Sequence, residues 1–353
     1  MSLLGAVLVL GVLIFVHELG HFLVAKWAGV GVTTFSLGFG PRLLGFRRGG
    51  TDYRLSAIPL GGFVRMVGED PGEEVPPEDI PRSFSHKPLA WRVAIVAAGP
   101  VANIVLALVI YYVVVVGWGL PTLTTRVGEV VPGKPAAAAG VKKDDVVIAI
   151  DGRPMTHWGD MVEAIQASGG RPVVMLLKRG RDLVRVTVRP RVETATDIFG
   201  DRRRVYRVGI VASREVFVKP VGLVEGVGLA VKKAYLAAKV VAVSVYKLAT
   251  RQVSFDNVGG PILIAQAAGQ AARHGLAPLL DLAGLISVNL AILNLLPIPA
   301  LDGGHLFFFL VEAVRRRPVS PRAREKAQQV GVALLIMLMA LVFYNDIARI
   351  LGG

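Results

Sequence analysis

The chain has 353 residues, 53% of them hydrophobic and only 19% charged, which is too apolar to cover a soluble surface and implies membrane spans. It has no cysteine, which excludes disulfides, thiolate metal sites and a cysteine nucleophile. Its formal charge of +14 is scattered without interleaved stacking aromatics, so nucleic acid is excluded as a partner and anionic lipid headgroups are the expected one.

The first apolar run covers residues 3–25. It lacks a basic leader and an A-x-A site, so it reads as a retained span and not as a cleavable signal peptide. Inside it lies "FVHELGHFLVAKW", with His17, Glu18 and His21. At ~100° per residue, the two histidines fall on one helical face about one turn apart, a spacing that lets both imidazoles bind one metal ion. Glu18 is then placed to take a proton from a water, the H-E-x-x-H arrangement. Charged groups at membrane depth cost at least ~2.5–3.5 kcal/mol each, and a metal satisfies all three at once.

Residues 33–66 contain short β-type runs broken by glycine pairs, the pattern of hairpins. Residues 69–82 are acidic and proline-rich, an expected loop. The second span is expected at 91–117. Residues 126–191 read as a soluble α+β unit, and "GKPAAAAGVKKDDVVIAIDG" resembles the small-residue, Gly and Asp-Gly pattern of bacterial PDZ domains, which bind an extended peptide by strand addition. Residues 192–277 are taken as a linker followed by a helix on the membrane surface. In that helix, over 221–251, Lys232, Lys233, Lys239 and Lys247 snorkel.

The third span is expected at 278–296 and leads into "NLLPIPALDGGH". Two prolines must interrupt a helix there, and a broken helix at membrane depth is tolerated only where it lines a cavity. Zinc sites usually take three protein ligands, so Asp302 is the expected third, with a helix N-cap as its ordinary alternative and His305 as a rival ligand. His86, His157 and His274 read as surface residues. The fourth span is expected at 330–351. Basic residues flank the hairpin (Lys26, Arg42, Arg47, Arg48) and the third-to-fourth connection (Arg315, Arg316, Arg317, Arg322, Arg324, Lys326). By the positive-inside rule both face the cytoplasm, and the PDZ-like unit faces outward.

With these motifs together, the chain resembles the site-2 protease family of intramembrane zinc metalloproteases, in its bacterial, PDZ-containing branch. His17-Glu18-Leu19-Gly20-His21 matches the family's first motif. "NLLPIPALDGGH" matches the second, with Asn294, Pro297, Pro299 and Asp302 in register. "FSLGFGP" and "PLGGFVRM" look like its membrane-re-entrant β-hairpin, "AGPVANIVLA" like its second-span motif with Gly99, Pro100 and Asn103, and "NVGGPILIA" like the segment before its third span.

The resemblance implies a polytopic α-helical membrane protein with about four transmembrane helices, a re-entrant β-hairpin and one inserted α+β PDZ domain. The expected bounds are 1–30, 31–90, 91–118, 126–191, 192–277, 278–303 and 304–353. It further implies a Zn2+ cofactor on His17, His21 and Asp302, Glu18 as base, and substrate contacts from Asn294, Pro297 and Pro299 and from Gly38, Phe39 and Gly40. The implied location is a bacterial inner membrane. The implied substrates are transmembrane proteins such as trimmed anti-sigma factors or signal-peptide remnants. Many relatives carry two tandem PDZ domains, whereas 126–191 leaves room for one. A non-catalytic PDZ-bearing scaffold with a structural metal is the alternative, which an intact Glu18 disfavours. A metal transporter would need polar residues along a path, not one cluster.

Overall fold

The structure is a computed structural model and describes residues 2–352 apart from 71, 73, 197–201 and 254–258. It divides into two compact units, Met1–Val114 with Gly226–Gly353, and Val115–Glu225.

The first unit opens with α1 (Ser2–Trp27), followed by β1 (Val32–Arg48), β2 (Thr51–Met66) and α2 (Leu89–Trp118). Gly20 brings α1 and α2 into near-backbone contact, since a Cβ there would lie 2.4 Å from the Ala98 carbonyl oxygen and 2.8 Å from Ala102 Cβ. The adjoining ends of the two helices carry Trp27 and Trp91, packed edge to face at 5.2 Å, the kind of aromatic pair that suits a membrane–water interface. The β segment is more folded than a simple hairpin. Residues 32–37 lie against 62–66, residues 34–37 also lie beside 52–55, and 42–48 turn back on 51–56. The turn at Gly38 needs glycine: its φ is +91°, and a Cβ would sit 2.6 Å from the Ile58 carbonyl oxygen.

The second unit contains β3 (Leu120–Leu123), β4 (Val127–Val130), α3 (Pro135–Ala138), β5 (Val146–Ile150), β6 (Arg153–Pro154) and α4 (Trp158–Ala167). These are followed by β7 (Val173–Arg179), β8 (Asp182–Val188), β9 (Arg191–Thr196), β10 (Arg202–Arg207), β11 (Ile210–Ala212) and β12 (Val216–Lys219). Its main sheet runs β6-β5-β7-β8. Alternation along β7 sends Val173, Met175 and Leu177 inward, against Met161 and Ile165 of α4. His157, expected to be an ordinary surface residue, starts α4 as its N-cap in a reciprocal capping box with Asp160.

The sequence reading ends this unit at 191 and takes 192–219 as linker. In the structure β9 and β10 form a hairpin, β11 pairs with β4 and β12 with β3, so the chain returns to its own beginning. β9 and β10 are polar, and β11 and β12 are only three and four residues long with partners eighty or more residues earlier, so no local periodicity announces them.

The chain then re-enters the first unit through α5 (Leu223–Ala249), α6 (Pro261–Arg273), α7 (Leu276–Asn294), α8 (Asp302–Arg315) and α9 (Pro321–Gly352). Among the described residues, four stretches are long and apolar enough to cross a membrane: Val9–Trp27, Leu89–Trp118, Leu276–Asn294 and Pro321–Leu351. They coincide with the four expected spans. α5 is not among them. It packs Ala230 and Ala234 against Ala107, Tyr111 and Val288, while Lys233 pairs with Asp281 of α7 and lies over the Tyr111 ring. Of the segment read as a family signature at 257–265, Asn257 and Val258 lie outside the described residues, and the rest leads into α6. Residues 304–329, expected as a loop, are largely helical within α8 and the start of α9.

Candidate metal centre

His17 and His21 project from one face of α1, and both are buried. α2 walls them in. Gly99 makes this possible, because a Cβ there would lie 2.3 Å from His21 Nε2 and 2.8 Å from His17 Cε1. The His21 Nδ1–H donates to the Ile95 carbonyl oxygen at 2.8 Å. A carbonyl only accepts, so the proton is on Nδ1 and the Nε2 lone pair faces the interior. On the far side of His17, the Asn103 carboxamide lies 3.3 Å from Nδ1.

Asp302 arrives from the other end of the chain. α7 stops at Asn294, and residues 295–301 bend through Pro297 and Pro299 before α8 begins. Gly303 and Gly304 let that first turn press on the bend, since Cβ atoms would meet the Leu296 and Ile298 carbonyl oxygens at 2.2 and 2.3 Å. The N-cap of α8 is Leu301, and no side chain caps it. The capping alternative for Asp302 therefore falls away: its carboxylate turns to the histidines.

His17 Nε2 is 3.1 Å and His21 Nε2 3.5 Å from Asp302 Oδ2, and the two nitrogens are 3.2 Å apart. A tetrahedral ion with bonds of ~2.0–2.1 Å has ligand–ligand edges of about 3.3–3.4 Å, so this triangle has the right size for zinc. Asp302 Oδ2 is buried with no hydrogen-bond partner beyond these ion-pair contacts. Two imidazoles and a carboxylate are also a chemically ordinary zinc set. The residues present fit the metal.

Around the triad lies a cavity of about 160 Å³. Glu18 lines it on the side of β2, where Gly62 faces its Cγ, and Phe63 and Val64 continue that wall. His305 lines the cavity without joining the three ligand atoms. Gly38, Phe39 and Gly40 do not line it, although Phe39 stacks on Phe63 at 5.9 Å. Asn294, Pro297 and Pro299 belong to the bend that delivers Asp302. Sequence reasoning gave no role to three residues here: Gly99 and Asn103, which wall and touch the imidazoles, and Glu69, which lines the cavity. Enclosure pushes the Glu69 carboxyl up to about 7, against the Met66 N–H that donates to it. The resemblance marks Gly99 and Asn103 as second-span motif positions but implies no role for either.

A histidine pair and an aspartate joined within apolar helices, with a glutamate beside them, define a membrane zinc metalloprotease of the site-2 type. The comparisons narrow this further. The profile of peptidase family M50 matches residues 5–338. A chain from Mesorhizobium japonicum named as a zinc metalloprotease is 36% identical over 98% of each protein. Zinc metalloprotease RasP of Geobacillus kaustophilus is 32% identical, covering 99% of this chain and 98% of its own. This chain belongs to peptidase family M50. Among solved structures, the PDZ domain of an SdrC-like protein from Listeria monocytogenes matches 25% of this chain and 84% of its own, at 23% identity and a TM-score of 0.20.

Proposed function

We propose that His17, His21 and Asp302 hold the zinc, that Glu18 is the general base, and that the enzyme cuts a peptide bond within or beside the transmembrane helix of a single-span protein. The observation that carries this reading is the triangle of ligand atoms, 3.1–3.5 Å on a side, around the buried Asp302 oxygen. Zinc bound there would supply Lewis acidity, lowering the pKa of a water toward ~7 and polarising the scissile carbonyl. The protein supplies the rest. Glu18 takes the proton from the attacking water and returns it to the departing amine. Phe63, Val64, Phe84 and Val96 line the cavity around Glu18 with apolar wall, which supports stabilisation of developing charge by fixed groups more than by reorganising water.

A helical substrate has its carbonyls tied up in intrahelical bonds and must be unwound before attack. Residues 62–66 of β2 border the cavity and are hydrogen-bonded to 32–37 on one edge, which supports strand addition of the unwound substrate along the other. Gly38, Phe39 and Gly40 then act one layer back, with Phe39 bracing Phe63. Asn294, at the last turn of α7, is the amide available to the substrate backbone, and Pro297 and Pro299 shape that approach. Leu43, Leu44 and Phe46 at the distal end of the β segment are 61–68% exposed, which supports its re-entry into lipid. Trimmed anti-sigma factors and signal-peptide remnants are the substrates this class of reaction suits.

In the second unit, α4 and the strand at 208–212 flank a groove of about 730 Å³ lined by Trp158, Met161, Val162 and Ile165. This supports PDZ-type capture of an extended peptide. Basic residues beside the hairpin and after α8 support a cytoplasmic location for those ends in a bacterial inner membrane, with the second unit outside.

The test pairs metal with activity. Wild type and Glu18→Gln are purified in detergent, zinc is quantified, and each is incubated with a single-span substrate. One zinc per chain in both, with cleavage by wild type alone, is expected. Cleavage by Glu18→Gln would overturn the role of Glu18, and wild type without zinc would overturn the site.

A further inference from the structure

Asn103 is fully buried in α2, and its Oδ1 has no hydrogen-bond partner. A buried carboxamide with an idle carbonyl is costly to desolvate, so its presence calls for a reason. Its backbone carbonyl already accepts from Ser287 Oγ at 2.8 Å, tying α2 to α7, and that tie needs no amide side chain. The side-chain Nδ2 lies 3.3 Å from His17 Nδ1, and a half-turn of the amide would bring Oδ1 to the same place.

We infer that Asn103 is a positioning residue for the metal centre: its amide carbonyl accepts from His17 Nδ1–H and so keeps the Nε2 lone pair of His17 turned toward the zinc. This rests on the ligand set proposed above. His21 shows the same device in another form, with its Nδ1–H fixed by the Ile95 carbonyl. His17 has no backbone carbonyl in that place. It has a carboxamide.

A carboxamide can also do what a carbonyl cannot. With Nδ2 toward the ring, it donates to an unprotonated Nδ1, and His17 then carries its proton on Nε2, 3.1 Å from Asp302 Oδ2. That pairing suits the centre without metal, because Asp302 gains a donor. Turned by 180°, the same amide offers Oδ1 to Nδ1–H, and Nε2 is left bare for a metal ion. Asn103 thus serves both states of one imidazole within an otherwise apolar wall. A leucine of nearly the same shape would serve neither.

The test measures zinc affinity by chelator competition on the full-length protein in detergent, for wild type, Asn103→Leu and Asn103→Asp. Removing the acceptor is expected to weaken zinc binding ~10–100-fold, the usual effect of losing an outer-shell partner of a ligating histidine. Asn103→Asp keeps an acceptor and is expected to stay within several-fold of wild type. Should Asn103→Leu not fold, as judged by circular dichroism and gel filtration, Asn103→Ala takes its place. Wild-type affinity in the variant lacking the acceptor overturns the inference. So does an aspartate variant as weak as the leucine one, since the residue would then matter for packing alone. If wild type itself binds no zinc, the ligand set fails and this inference fails with it.

Discussion

Replacing Gly99 by alanine sets two well-understood effects against each other. By helix propensity alone, Gly→Ala in a helix interior stabilises by ~0.8–1 kcal/mol. In this helix the new Cβ would lie 2.3 Å from His21 Nε2, 2.6 Å from His21 Cε1 and 2.8 Å from His17 Cε1. Non-bonded carbon and nitrogen sit comfortably near 3.5 Å, so the His21 ring must withdraw by about 1 Å. Neither ring has room to yield freely: His21 is held by Ile95, and Gly20 already presses α1 on the α2 backbone. Overpacking of this kind costs about 1–3 kcal/mol, enough to cancel the propensity gain or exceed it.

The larger effect falls on function. Metal–ligand distances tolerate only ~0.2 Å, and a displacement of ~1 Å at a reacting centre costs about a hundredfold in rate. The assay is zinc content and single-span substrate cleavage for Gly99→Ala, beside thermal unfolding in detergent. Lost metal and at least ~100-fold slower cleavage are expected, with stability unchanged or lower. A variant that is more stable, fully loaded and fully active would show that propensity governs here and that α2 does not fix the imidazoles.

Further outcomes follow from other contacts. Asp302→Asn keeps the side-chain volume but removes the charge, and it is expected to weaken zinc binding by more than the ~10–100-fold of an outer-shell loss, measured by atomic absorption after dialysis; a loaded asparagine variant would refute the ligand assignment. Asp145 is desolvated, yet Arg179 and the Lys142 N–H hold its carboxyl below the usual range. A depressed folded pKa gives stability that is present above the unfolded value of ~3.9 and lost as pH falls through the folded one. Hydrogen exchange of the second unit should therefore quicken on acidification below about pH 4, with a shallower response in Asp145→Asn, and equal responses would refute the assignment. For the Lys233–Asp281 pair, a double-mutant cycle to alanine should give a coupling of ~0.2–1 kcal/mol in unfolding experiments, because both side chains are more than a third exposed. Zero coupling would mean that the Ala230–Ala234 face alone holds α5.

The spans and the histidine pair were legible because each is a local pattern: twenty apolar residues for a helix, four residues for two side chains on one face. Asp302 was legible for a different reason. The prolines before it break a helix where a broken helix is expensive, and an acidic residue at that break needs a partner. What stayed hidden depends on two segments meeting. Gly99 and Asn103 stand out as motif positions, but Gly99 gains its role only when His17 and His21 lie against it, and Asn103 only from the ring it faces. Glu69 sat in a stretch read as solvent-exposed loop, and nothing local ties it to a cavity. β11 and β12 were missed for the same cause, since strands so short are recognised by their partners, β4 and β3, and β9 and β10 were missed because both are polar.

Two of the three proposed ligand atoms come from α1 and the third from the first residue of α8, about 280 residues later in the chain. During synthesis Asp302 does not exist until about 280 residues after His21, an interval of roughly 15–60 s at ~5–20 residues per second. Throughout that time the nascent protein has a glutamate and two histidines but lacks a complete cage. In the ligand set proposed above, His17 and His21 therefore wait for Asp302, and the complete triangle is among the later features of the fold to form.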